Sequence, residues 1–226
     1  MANAIISQEE NPFFDKEVAP KSRFSKLINS LQLFVVFVFF LIFIYLFIAT
    51  PNQVDGNSMF PTFHNREIVL TFRLVGVLGN TPFGKSIGLG YNHGDVIIFQ
   101  KPGLKEFIKR VIGLPGDKIM IFNGHVYRND VLLDEAYLGP TVLTNAGDFI
   151  TEGTVVTVPD GSVAAFGDNR PGSYDSRFQG VGIVKMEWIK GRVLVRLWPA
   201  NKFGIIQHAN YVYTRDPADD NGPPAE

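Results

Sequence analysis

One run of apolar residues stands apart from the rest of the chain. Leu31–Ala49 (LQLFVVFVFFLIFIYLFIA) carries no charge and is apolar on every helical face. About 19 residues rising about 1.5 Å each reach roughly 28 Å, the depth of a bilayer's hydrocarbon core. The pattern predicts a transmembrane helix over 31–49. The run is too long for a cleaved leader, and the segment before it is too long as well. A cut after Ala49 would also put Phe47 where a small residue is needed. From about residue 52 the period changes. Short runs of β-forming residues alternate with Gly, Pro and Asn-Gly breaks, which predicts strands at Ile68–Phe72, Asp95–Phe99, Phe107–Ile112, Lys118–Phe122, His125–Arg128, Thr154–Val158, Ser162–Phe166 and Gly191–Leu197. Asn123-Gly124 is a hairpin turn between two of them, and Pro159-Asp160-Gly161 turns another pair. No long amphipathic helix competes, so the expected fold is mainly β after one N-terminal transmembrane helix.

The same texture divides the chain. Residues 1–30 are a polar tail, 31–49 the anchor, 52–210 a β-rich domain, and 211–226 (DPADDNGPPAE in its later part) a tail expected to be disordered. Gly76–Gly94 is rich in glycine and is expected to be a loop or a hairpin extension. Lys16, Lys21, Arg23 and Lys26 precede the anchor, whereas the first basic residue after it is Arg66. The positive-inside rule therefore puts the N-terminus in the cytoplasm and the β-rich domain outside.

Charge and composition narrow the function. The net charge of −1 gives no electrostatic footprint for nucleic acid. The absence of cysteine excludes disulfides, thiol chemistry and Cys-based zinc sites. The exported domain must instead be held by an apolar core, for which 46% hydrophobic residues suffice.

Some candidate chemistry is weak. Gly79–Ser86 (GNTPFGKS) fits a phosphate-loop pattern, but IGLGYNHG after it cannot begin the helix that such a loop needs, so no nucleotide is expected. His64, His93, His125 and His208 show no metal-ligand spacing, and neither a metal nor another cofactor is expected. His93 and Asp95 could complete a triad with Ser58, although Ser58 does not sit in a G-x-S-x-G elbow.

Other signals are stronger. Ser58 lies in Gly56-Asn57-Ser58-Met59-Phe60-Pro61-Thr62, just beyond the anchor. In Phe107-Ile108-Lys109-Arg110-Val111-Ile112, strand alternation puts Lys109 on one face with Phe107 and Val111, an apolar setting for an ammonium ion. Such a lysine either snorkels to water or loses its proton. Desolvation lowers its pKa and makes it a base for a serine hydroxyl. Gly113–Asp117 is a tight turn, and Gly167–Arg177 (GDNRPGSYDSR) is a dense polar loop after a strand.

Together these segments resemble type I signal peptidases. The resemblance rests on Ser58-Met59-Phe60-Pro61-Thr62, on Gly94–Phe99 (GDVIIF), on Lys109–Asp117 (KRVIGLPGD) and on Gly167–Arg177, in the family's order after an N-terminal anchor, with Arg196-Leu197-Trp198-Pro199 as the closing strand. It covers about residues 30–205. It implies a signal-peptidase-like β-rich catalytic domain, with Ser58 as nucleophile and Lys109 as general base. It implies that Ser173 orients the lysine, that Asp168, Asp175 and Arg177 brace the loop, and that Val54, Met59, Phe107 and Ile108 surround the substrate pockets. The Ser58 amide is one implied oxyanion donor. Some relatives use a serine hydroxyl two residues earlier as the second; Gly56 stands there, and its amide is the expected substitute. Asn52 occupies a position where some relatives carry a large apolar residue, so the outer pocket is expected to differ. The implied partners are secretory preproteins, cut after small-x-small (Ala-x-Ala) sites, and the lipid bilayer of a bacterial plasma (inner) membrane. Two alternatives keep the strands but change the function: a non-catalytic single-pass protein with an exported binding domain, and a Ser-Lys protease of similar fold but different substrate, such as one that cuts itself.

Overall fold

The computed structural model describes residues 23–79, 81–86, 89–206 and 209. The chain falls into two compact units, 1–42 and 43–226. In the first, helix α1 covers Arg23–Phe43 and is apolar enough to cross a membrane from Phe24 to Phe43. It starts before Leu31, because Arg23–Ser30 contains no Gly or Pro to break it. It also ends before Ala49. A π-helical turn, Ile44–Ile48, leads directly into a strand that includes Ala49. Residues 1–22 of the predicted tail, and 211–226 of the C-terminal one, lie outside the described residues, as does His208.

The second unit is built from strands β1 (Ala49–Gln53), β2 (Ile68–Phe72), β3 (Val96–Phe99), β4 (Phe107–Gly113), β5 (Lys118–Phe122), β6 (His125–Arg128), β7 (Val131–Leu132), β8 (Val156–Thr157), β9 (Ser162–Phe166), β10 (Val184–Lys185), β11 (Ile189–Trp198) and β12 (Gly204–Ile205). The large sheet runs β1-β2-β11-β3-β4-β9-β10, with β12 added to β11; a four-stranded sheet runs β7-β6-β5-β8. The paired strands are antiparallel. The protein is mainly β with one apolar N-terminal helix.

Sequence explains the layering. β3 reads VIIF without alternation because both of its faces are covered: Ile97 and Phe99 join one apolar cluster, Val96 and Ile98 another. Each such side chain contributes about 1.5–3 kcal/mol on leaving water. A third cluster joins Ile112, Ala164 and Phe166 of the large sheet to Ile119, Ile121 and Val126 of the small one. The hairpin Lys118–Arg128 closes at Asn123 and Gly124, both at positive φ (49° and 79°), the conformation that an Asn-Gly turn favours.

The Gly76–Gly94 segment departs from the expected loop or hairpin extension. It holds short helices α2 (Leu74–Leu78) and α3 (Pro82–Ser86). The second lies inside the phosphate-loop pattern, and the Gly84 amide donates to Thr81 Oγ1 there. Gly84 itself packs so tightly on the Leu78 carbonyl that a Cβ would fall 1.8 Å from that oxygen.

Candidate active site

Two elements carry Ser58 and Lys109. Ser58 lies on the turn after β1, closed by the bonds Phe60 N–H to Asn57 O and Phe63 N–H to Met59 O. Lys109 lies on β4, opposite Ile97 of β3. Its side chain is 2% exposed, and its Nζ is 2.7 Å from Ser58 Oγ. The amine also donates to the Ile108 carbonyl at 2.9 Å and sits 5.4 Å from the centre of the Phe107 ring. Burial pushes the Lys109 pKa down from 10.5 to about 8; Asp175 and Asp168 oppose the shift, and Lys105 and Arg177 assist it. Roughly a tenth of the molecules then carry a neutral amine at pH 7.

The loop after β9 holds Ser58 from behind. The Asn169 N–H donates to the Ser58 carbonyl at 3.0 Å, and Asn169 Nδ2 donates to the Asn57 carbonyl at 3.1 Å. Two buried ion pairs fix that loop. Asp168 takes Arg110 bidentately, at 2.9 Å from Nε and 2.7 Å from the terminal nitrogen, and also accepts from Thr62 Oγ1 at 2.5 Å. Asp175 takes Arg177 at 2.8 and 3.0 Å and accepts from the Gly167 N–H at 2.9 Å. Gly167 must be glycine: a Cβ there would lie 2.1 Å from Ser173 Oγ and 2.4 Å from the Ser58 carbonyl oxygen.

Ser58 and Lys109 open into a cleft of about 450 Å³, lined by Asn52–Ser58, Val69, Ile98, Lys105–Lys109, Gly172 and Tyr174. From Phe107 to Lys109, β4 pairs with β3 alone, since β9 joins it from Arg110 onward. That stretch of strand edge borders the cleft.

This geometry acquires a context from known proteins. A family model described as "Signal peptidase, peptidase S26" matches residues 27–198. The chain belongs to the signal peptidase family. Similar curated proteins include signal peptidase I of Bacillus caldolyticus, 35% identical over 165 residues, which covers 70% of this chain and 84% of that one. Signal peptidase I S of Bacillus subtilis is 34% identical over 160 residues, covering 69% and 80%. Signal peptidase IB of Staphylococcus aureus is 34% identical over 168 residues, covering 70% and 82%. A crystal structure of a signal peptidase I from Enterococcus faecalis matches 45% of this chain and 95% of its own, at 29% identity and a TM-score of 0.38. As a signal peptidase the chain is a serine endopeptidase.

Within this signal peptidase the expected site residues part company in several places. Val54, Phe107 and Ile108 line the cleft, but Met59 does not: it is 0% exposed, in the cluster with Val54, Phe63 and Ile98 beneath the Ser58 turn. The Gly56 amide, the expected second oxyanion donor, already donates to Asn65 Oδ1 at 3.0 Å, a partner that spacing in the sequence does not reveal. The Ser58 amide has no acceptor among the described residues. Ser173 is buried beside Gly167, yet its hydroxyl makes no hydrogen bond to Lys109. His93 cannot serve Ser58 through Asp95: its Nε2 is 2.6 Å from Asp117, while Asp95 takes Arg192 at 3.2 Å. Asn52 does line the cleft, with its amide tied to Thr71 Oγ1 and the Thr50 carbonyl. Sequence reasoning assigned no role to Arg110, Arg170 or Thr62, although all three sit inside the quoted motifs, and it missed Glu135 altogether.

Proposed function

We propose that this chain is a single-pass membrane endopeptidase that removes signal peptides from secretory preproteins after small-x-small sites, with Ser58 as nucleophile and Lys109 as general base. The observation that carries this reading is the 2.7 Å contact between Ser58 Oγ and an amine buried to 2% exposure. With Lys109 neutral, Ser58 Oγ–H donates to Nζ and transfers its proton as the oxygen adds to the scissile carbonyl carbon. The carbonyl oxygen becomes negative and is held by the open Ser58 N–H. Lys109 then returns the proton to the leaving amine as the C–N bond breaks. The ester left on Ser58 is hydrolysed by a water that gives its proton to the same amine, and Lys109 passes that proton to Ser58 Oγ as the ester C–O bond breaks. Ser173, Asp168, Asp175 and Arg177 act through the loop that holds Ser58, not on the substrate.

The cleft supports an extended substrate laid along the Phe107–Lys109 edge, with side chains at alternate positions turned toward Val54, Val69, Ile98 and Ile108. Bulky residues clash with this wall, which favours Ala over Leu. In the proposed orientation, basic residues before the anchor keep the N-terminus in the cytoplasm and the catalytic domain outside.

The test is cleavage of a preprotein with an Ala-x-Ala site by the full-length protein in detergent. Mass analysis should find one cut, after the second alanine, and Leu at either alanine should abolish it. Cutting that ignores those positions would refute the specificity; no cutting of several such preproteins by folded enzyme would refute the function. Rate should also follow the charge on Lys109. Because the neutral form is active, kcat/KM should rise about tenfold per unit below about pH 8 and level off above it. A rate flat from pH 6 to 9 would remove Lys109 as the base.

A further inference from the structure

The polar groups that hold Ser58 extend well beyond the family motifs. Arg170 is 1% exposed and spends its guanidinium in two directions. Its Nε donates to the Gly167 carbonyl at 3.0 Å. Its terminal nitrogens reach across to the segment after β7: to Glu135 at 2.5 and 2.8 Å, to Thr144 Oγ1 at 2.5 Å and to the Tyr137 hydroxyl at 3.0 Å. The Tyr137 hydroxyl in turn donates to Glu135 Oε1 at 2.6 Å. The Tyr137 ring lies 4.2 Å from the Arg110 guanidinium, so one short segment caps both buried arginines.

We propose that Glu135 is a positioning residue for Ser58, acting through Arg170 and the Gly167–Asn169 turn. This rests on the Ser58–Lys109 reading given above. The chain of contacts is short. Glu135 orients Arg170, Arg170 holds the Gly167 carbonyl, and Asn169 in the same turn holds the Ser58 and Asn57 carbonyls. There is no slack at Gly167, whose missing Cβ would overlap the Ser58 carbonyl oxygen. Without Glu135, the buried Arg170 charge loses its bidentate partner. The next carboxylate whose field reaches it is Asp168, which is already engaged by Arg110 and Thr62. Either outcome, an unpaired Arg170 or one drawn to Asp168, moves the turn against which Ser58 rests. Thr62 belongs to the same turn region as Ser58, so the second outcome strains it from the other side as well.

Glu135→Gln keeps the size of the side chain and removes its charge. The full-length variant should stay folded below its melting temperature and bind substrate as the wild type does. Its KM should be unchanged, and its kcat should fall about ten- to a hundredfold, the cost of a small displacement at a reacting group. Glu135→Asp, which restores a carboxylate, should recover part of the lost kcat. Wild-type kcat in folded Glu135→Gln, or a loss that only tracks the unfolded fraction and is not rescued by Asp, overturns the proposal. If Glu135→Gln does not fold, Tyr137→Phe carries the test, since it removes one hydrogen bond from the same carboxylate; a kcat lowered at constant KM supports the proposal and an unchanged kcat overturns it. Wild type and Lys109→Met run alongside separate the two readings. If wild type fails to cut or Lys109→Met cuts normally, the dyad falls; if both behave as expected and the Glu135 variants match wild type, only the present inference falls.

Discussion

Lys109→Met is expected to give a protein that no longer cuts preprotein and yet melts at a higher temperature than the wild type. The loss follows from the base. Without an acceptor 2.7 Å from its hydroxyl, Ser58 cannot shed its proton as it attacks, a loss of at least about 10²–10⁴ in kcat. Ser58→Ala should be as inactive, and the double variant no worse, because the two groups act as one unit. The gain follows from burial. A lysine whose pKa falls from 10.5 in the open chain to about 8 in the fold makes folding less favourable wherever the unfolded chain keeps its proton. That penalty is full below pH 8, at about 3 kcal/mol, and disappears as pH rises to 10.5. Methionine has a similar shape and no charge to desolvate. Thermal melts of both proteins at pH 7 and near pH 10 test this: the variant should lead by several degrees at the lower pH and by little at the higher. A variant less stable at pH 7 would mean that the amine is not strained by its surroundings.

The opposite result is expected from Asp168→Ala. Asp168 is the bidentate partner of Arg110, and both are buried, at 0% and 2% side-chain exposure. Removing the carboxylate leaves a guanidinium out of water without its bidentate partner, beside the Gly94 carbonyl, the Thr62 hydroxyl and the face of Tyr137. Breaking such a pair costs about 3–5 kcal/mol, a large share of the roughly 5–15 kcal/mol that holds a domain together. The melting temperature should drop by about 10 °C. Asp168→Leu combined with Arg110→Met should be less harmful than Asp168→Ala alone, since no charge is stranded. If the single variant melts like wild type, the pair contributes nothing.

Where the chain announces its structure, local rules and tertiary packing agree. Ile68–Phe72 forms a strand to the residue, and so do Lys118–Phe122, His125–Arg128 and Ser162–Phe166, where turn-forming Asn, Asp or Gly bounds each run. Strand β1 was not legible. ATPNQ contains Pro, Asn and Gln, poor strand formers, and it is extended because β2 offers a pairing edge. Lys109 was conspicuous because a charge on an apolar strand face is a conflict that demands a partner. The occupied Gly56 amide and the burial of Met59 depend on which way a turn faces, and spacing carries no record of that. Glu135 sits in a coil (LLDEAYLG) with no period, and its importance comes from an arginine 35 residues away in sequence.

The largest of the fully buried side chains are four arginines, Arg110, Arg128, Arg170 and Arg177. Each reaches a group from a distant part of the chain: Asp168 for Arg110, the Ile112 carbonyl for Arg128, Glu135 for Arg170, and the Asn145 carbonyl for Arg177, which also pairs with its near neighbour Asp175. A partly assembled domain would hold guanidinium groups away from water before their acceptors arrive, and every such intermediate is penalised. Arg128 of β6 on the Ile112 carbonyl of β4 links the two sheets in this way, which favours their folding as one cooperative unit. The Ser58–Lys109 contact depends on the same closure, because two of these arginines, Arg110 and Arg170, hold the loop behind Ser58.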